Sequence, residues 1–180
     1  MCIRDRDCDG TERNLIMIKT TIATLFLMLT MSVHAEPEVE LLYSDLKVKL
    51  PGQFTLIGDV GGEDNILIIR YGSDKGKNYI AFTDMTNDKS LDYGCPIKVF
   101  FDDLFSGDDS TCNAENLSIM RETFIDNKDV ELWQVGGYTV RYSGGKNKSF
   151  AFVSAEDGKL VKVDSDFLKK ERYKALLGDL

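Results

Sequence analysis

Three features of the chain predict an α+β fold built on a mostly antiparallel sheet. Short runs of alternating apolar and polar residues recur through the C-terminal half as a meander, separated by glycine-bearing turns. A mid-chain stretch and the C-terminal stretch instead carry apolar residues at helical spacing, which places a helix in each. No linker divides residues 36–180, and a chain of that length buries enough surface for one core, so a single domain is expected there.

Met17 to Ala35, MIKTTIATLFLMLTMSVHA, reads as a secretory signal peptide. Lys19 supplies a short basic start, and the 16 uncharged residues that follow fall short of the roughly 20 that a membrane-spanning helix needs. Val33 and Ala35 fit the −3 and −1 positions of a small-residue cleavage motif, and Glu36-Pro37 follows. Residues 1–16 carry Asp5, Asp7, Asp9 and Glu12 beside Arg4, Arg6 and Arg13, which is not how a signal begins, and the expected start is Met17. The opening MCIRDR resembles adaptor sequence translated in frame at the ends of gene predictions. The division expected is therefore 1–16 leader, 17–35 signal, 36–180 domain, periplasmic or secreted and with no membrane insertion after cleavage.

Glu36 to Tyr43 is an acidic leader with room for one helical turn. Leu46, Val48 and Leu50 alternate with Lys47 and Lys49 as a half-buried strand that Pro51-Gly52 ends. Phe54 to Ile57 follows as a short strand, Gly58 to Asn65 as an acidic loop, and Ile66 to Tyr71 as a central strand buried on both faces. A polar turn then leads into Tyr79 to Thr83, making a hairpin. Over Cys95 to Gly107, Ile97, Phe100, Phe101, Leu104 and Phe105 follow the helical repeat, with Pro96 at the entry and Gly107 at the exit. A strand alternative survives through Ile97, Val99 and Phe101. Leu117 to Ile125, Val130 to Val135, Tyr138 to Tyr142, Ser149 to Ser154 and Lys159 to Val163 read as strands joined by turns. Asp164 or Ser165 is placed to cap a last helix, Asp166 to Leu177.

The only histidine, His34, lies in the signal, so residues 36–180 lack both the commonest general base and the commonest metal ligand. That excludes Ser-His-Asp and Cys-His catalysis and ordinary zinc sites there. Residues 1–35 hold equal numbers of acidic and basic side chains, so the whole net charge of −8 belongs to the domain, which repels nucleic acid and anionic membrane surfaces. Cys95 and Cys112 remain as a pair, and in an exported protein they read as a disulfide worth roughly 3 kcal/mol for a loop of that length.

Two acidic groupings are candidate sites. Asp102, Asp103, Asp108 and Asp109 form a candidate binding loop, tied back by Cys112 and suited to a basic protein surface or a divalent cation. Asp84, Asp88 and Asp92 recur every fourth residue and offer a calcium reading, although Lys89 stands where an EF-hand loop requires glycine. No cofactor is called for.

Tyr138 to Phe167, YTVRYSGGKNKSFAFVSAEDGKLVKVDSDF, resembles the closing meander of PsbP/Mog1-like domains, and LKVKLPGQF at Leu46 to Phe54 is similar to their opening strand. The resemblance implies an antiparallel sheet with helices packed on it, a fold used mainly by non-catalytic accessory proteins. It carries over no functional residue, because the shared positions are structural, and the internal disulfide departs from it. The functional expectation is an exported, non-catalytic binding or accessory protein of the cell envelope. An inhibitor or immunity-type protein against a basic partner, and a carboxylate-dependent hydrolase, are the alternatives.

Overall fold

Alternation of side chains along each strand decides which residues face which layer, and nine strands of this kind are present among the described residues of the computed structural model. Described are residues 38–61, 65–107, 111–178 and 180. The expected leader and signal, residues 1–35, together with Asp108 and Asp109, lie outside them. In chain order the strands are β1 Glu38–Tyr43, β2 Leu46–Pro51, β3 Leu56–Val60, β4 Ile66–Arg70 and β5 Tyr79–Asp84, then β6 Asp129–Val135, β7 Tyr138–Gly144, β8 Ser149–Ala155 and β9 Leu160–Ser165. The helices are α1 Ile97–Ser106 and α2 Ala114–Phe124 between β5 and β6, and α3 Lys170–Leu176 at the end.

β1 and β2 form a separate hairpin, and the other seven strands form one antiparallel sheet in the order β3-β4-β5-β9-β8-β7-β6. The fold is α+β, as the sequence predicts. One sheet face is covered by the hairpin and α3, where Leu46, Val48 and Leu50 meet Phe82, Ala151, Val153, Val163 and Tyr173. The opposite face carries α1 and α2, whose Phe100, Phe101, Leu104 and Leu117 pack on Phe152 and Leu160. β8 shows the logic: Ala151 and Val153 enter the first layer, while Phe150 and Phe152 enter the second.

Turn chemistry fixes two hairpins. Ser44 and Asp45 both have positive φ, at 48° and 64°, and join β1 to β2 with Tyr43 opposite Leu46. Gly136 and Gly137, at 52° and 87°, do the same between Val135 and Tyr138 as a tight two-residue turn. Gly136 is required twice over, since an added Cβ would fall 1.8 Å from the Leu180 carbonyl oxygen.

The mid-chain segment is the helix α1, as expected, and the strand alternative falls away. Several other expectations are corrected. Leu117 to Ile125, read as a strand, is the helix α2: Leu117, Met120 and Phe124 recur at helical spacing, and the Asn113 side chain caps the start by accepting from the Asn116 N–H at 3.1 Å. The acidic leader is a strand because Leu41 and Tyr43 alternate opposite Val48 and Leu46. β3 begins only at Leu56, after Gln53 breaks the extended path at φ 64°, and it runs into the expected loop as far as Val60. β4 is next to the sheet edge, and only Ile69 is buried, because no helix among the described residues covers its second face. α3 starts four residues later than Asp166, because the Asp166 carboxylate accepts from the N–H groups of Asn78 and Tyr79 at 2.9 and 3.0 Å, and Ser165 Oγ accepts from Phe167 and Leu168. No helix among the described residues is long and apolar enough to cross a membrane.

Candidate functional site

Helices α1 and α2 cover only part of their sheet face. Cross-strand partners share a face, so the row Phe152, Lys162, Thr83, Ile66, Val60 runs across it from β8 to β3. The helix-side core takes Phe152 and stops short of β4 and β3. Where helical cover ends, the connection from β5 to α1 folds over the sheet and bounds a cleft of about 370 Å³ lined by Asn65, Thr83, Asp84, Asn87, Asp88 and Lys162, among others.

The carboxylates of this cleft are held by donors from their own surroundings. Asp84 accepts from Ser44 Oγ at 2.5 Å and from the Thr86 N–H at 2.9 Å, and its own N–H donates to Tyr43 Oη at 3.0 Å. Tyr43 Oη in turn donates to the Asn65 carbonyl oxygen. Asp88 accepts from the Ser90 N–H at 2.8 Å, Ser90 Oγ at 3.0 Å and Tyr93 Oη at 2.6 Å. Burial pushes the Asp84 carboxyl up, but the hydrogen bonds from Ser44 and Thr86 outweigh it and hold the pKa below its ordinary value. Asp88 behaves alike: burial raises it, and the bonds from Tyr93 and Ser90, helped by the Lys162 charge, bring it below.

The spacing of four that suggests a calcium loop has a local cause. Asp84, Asp88 and Asp92 each accept the N–H two residues ahead, from Thr86, Ser90 and Gly94, so the segment is a run of Asx turns. Asp84 and Asp88 reach the cleft, whereas Asp92 turns to Gly94 and Asn113. No group of three or more His, Cys, Asp or Glu side chains suited to a metal ion occurs among the described residues.

Of the second acidic grouping, Asp102 and Asp103 sit on α1; Asp108 and Asp109 lie outside the described residues. Asp102 accepts from Lys98 Nζ at 3.1 Å and is ion-paired to Arg141, a β7 side chain only 1% exposed. Arg141 also donates to Ser154 Oγ at 2.8 Å, its Nε has no partner among the described residues, and burial pushes it down to about 10. Asp102 is thus a clamp between α1 and the sheet. The Asp103 backbone carbonyl accepts from Arg121 of α2 at 3.1 Å. Cys95 and Cys112 are disulfide-bonded with their Cα atoms 4.9 Å apart, which ties the start of α1 to the start of α2. A second cleft of about 370 Å³, lined by Lys98, Gln134, Tyr138, Thr139 and Glu156 among others, lies between α1 and the β6–β7 turn.

Sequence reasoning missed Ser44, Asn65, Thr83 and Lys162, which come from four separate segments and meet only through strand register and, for Ser44, the packing of the β1–β2 hairpin. The one legible signal is the repeated Asp-x-Thr, Asp-x-Ser, Asp-x-Gly pattern from Asp84 to Gly94. Compared with protein-family models, curated proteins and solved structures, the chain matches none.

Proposed function

We propose that residues 36–180 act as an exported, non-catalytic binding or accessory protein of the cell envelope, meeting a partner with a basic surface. The observation that carries this is the pair Asp84 and Asp88 in one cleft, both held below the ordinary carboxylate pKa by fixed donors. A carboxyl pair working as general acid and base needs one member kept protonated by its surroundings. Two carboxylates ionised together instead present standing negative charge, which attracts a cationic group. An inhibitor or immunity-type protein is a special case of this reading. Export is supported by the signal-like Met17 to Ala35 and by the disulfide, which persists in oxidising compartments. The likeness to PsbP/Mog1-like accessory domains points the same way.

The test is titration of the exported protein with an oligolysine peptide. The Asp84→Asn/Asp88→Asn variant is compared with Glu115→Gln/Glu122→Gln, which removes the same charge from α2. The expected result is about tenfold weaker binding for the first alone. Equal weakening of both means general attraction and overturns the cleft reading. The hydrolase alternative draws on the same two carboxylates sharing a cleft. It predicts glycoside hydrolysis that the first variant abolishes. N-terminal sequencing of the protein recovered from the envelope tests export, with Glu36 as the expected first residue.

A further inference from the structure

Among the described residues the seven-stranded sheet ends in two edge strands, β6 and β3, and they are protected differently. On β6, Asp129 and Glu131 are paired with Lys170 and Lys174 of α3 at 2.6 to 3.1 Å, so charged side chains guard that edge. β3 has no lysine and no proline, and it leaves Leu56, Ile57 and Val60 44%, 54% and 53% exposed. An edge this apolar, with Asp59 as its single charge, is a template for another strand.

We infer that β3 pairs antiparallel with β3 of a second copy about a two-fold axis at Gly58, joining two sheets into one. The strand Leu56-Ile57-Gly58-Asp59-Val60 is self-complementary under that operation. Leu56 falls opposite Val60 of the other copy, Gly58 opposite itself, and Ile57 opposite Asp59, so no like charges face each other. The same axis turns the Asp59 end of each β3 toward the end of the other sheet that carries Arg70, Lys75 and Lys77, because Arg70 pairs with Leu56 and the β4–β5 turn follows it. This local complementarity offsets the repulsion of two acidic domains, whose remoter charges are screened beyond about 8 Å at physiological salt. Ile66 and Ile68 share the face of Leu56 and Val60, with Arg70 beside them, so the apolar rows that lie beyond α1 and α2 meet across the axis. That continuity selects a second copy over a foreign strand, which would bring no matching face.

The measurement is molar mass by light scattering on the exported protein, disulfide intact, from micromolar to millimolar concentration. The mass is expected to rise from one chain to two. Ile57→Asp sets like charges opposite each other twice over and should raise the midpoint concentration by about tenfold or more. Ile57→Lys faces Asp59 of the other copy and should associate at least as well as the native chain. Ile57 is exposed, so both variants should keep the native melting temperature, which is checked alongside. A chain that stays monomeric throughout overturns the inference, whether or not a foreign peptide binds. Equal loss in both variants overturns this register, and a dimer indifferent to both places the contact elsewhere.

Discussion

Arg141 shows how much a single side chain fixes. Its guanidinium is 1% exposed, it meets Asp102 from α1, and removing that partner strands a buried cation. Asp102→Ala should therefore lower stability by about 2 kcal/mol, the water-exposed side of the pair softening the loss. Adding Arg141→Met should recover most of it, because a buried ion pair replaced by packed apolar atoms is close to neutral; urea denaturation of the single and double variants measures both. Asp84 and Asp88 carry a pH dependence. With pKa values below ordinary, they bind fewer protons folded than unfolded, so their contribution is complete above about pH 4 and is lost as pH falls through the lowered values. Asp84→Asn/Asp88→Asn should melt lower at pH 7, and the gap to the native protein should close toward pH 2 in a melting series. The sequence showed these acids but not their use, since an Asx turn and a metal loop share the same residues at the same spacing, and only the donors tell them apart.

Local signals named most elements correctly where the hydrophobic period was strong, as in α1 and the hairpins of the C-terminal half. They failed at α2. Only Leu117 of that helix is buried, and Ile119 is 54% exposed, so no wide apolar stripe announces the helical period. The helix is held from its start instead: Asn113 caps it, and Cys112 just before it is bonded to Cys95. Gly94 beside that bond, at φ 67°, has room for no Cβ, which would stand 2.7 Å from the Asn113 backbone nitrogen. Cys95→Ser/Cys112→Ser should then cost about 3 kcal/mol by chain-entropy reasoning, and Asn113→Ala a further ~1 kcal/mol for the lost cap. Amide exchange should locate the loosening in α1 and α2, with β7 and β8 still protected; uniform loosening would show that the bond supports the sheet instead.

Strand order is what sequence reading could not supply. The C-terminal meander, β6 to β9, was legible because consecutive hairpins are neighbours, but nothing local says that β9 inserts beside β5. That pairing, Ile80 to Asp84 against Ser165 to Val161, joins the two meanders through strands about 80 residues apart in the chain, and it closes both cores through Leu160, Val161 and Val163. The cleft depends on the same closure, since Lys162 and Thr83 lie opposite each other across it. A chain ending at Lys159 retains the residues of eight strands and two helices, yet it lacks the strand that connects them. It should lose the cooperative melting transition altogether, because β3-β4-β5 and β8-β7-β6 would each expose an apolar edge and an unfilled core. Circular dichroism melts of that chain decide the point. A surviving sharp transition would mean that one meander folds alone and that β9 only docks onto it.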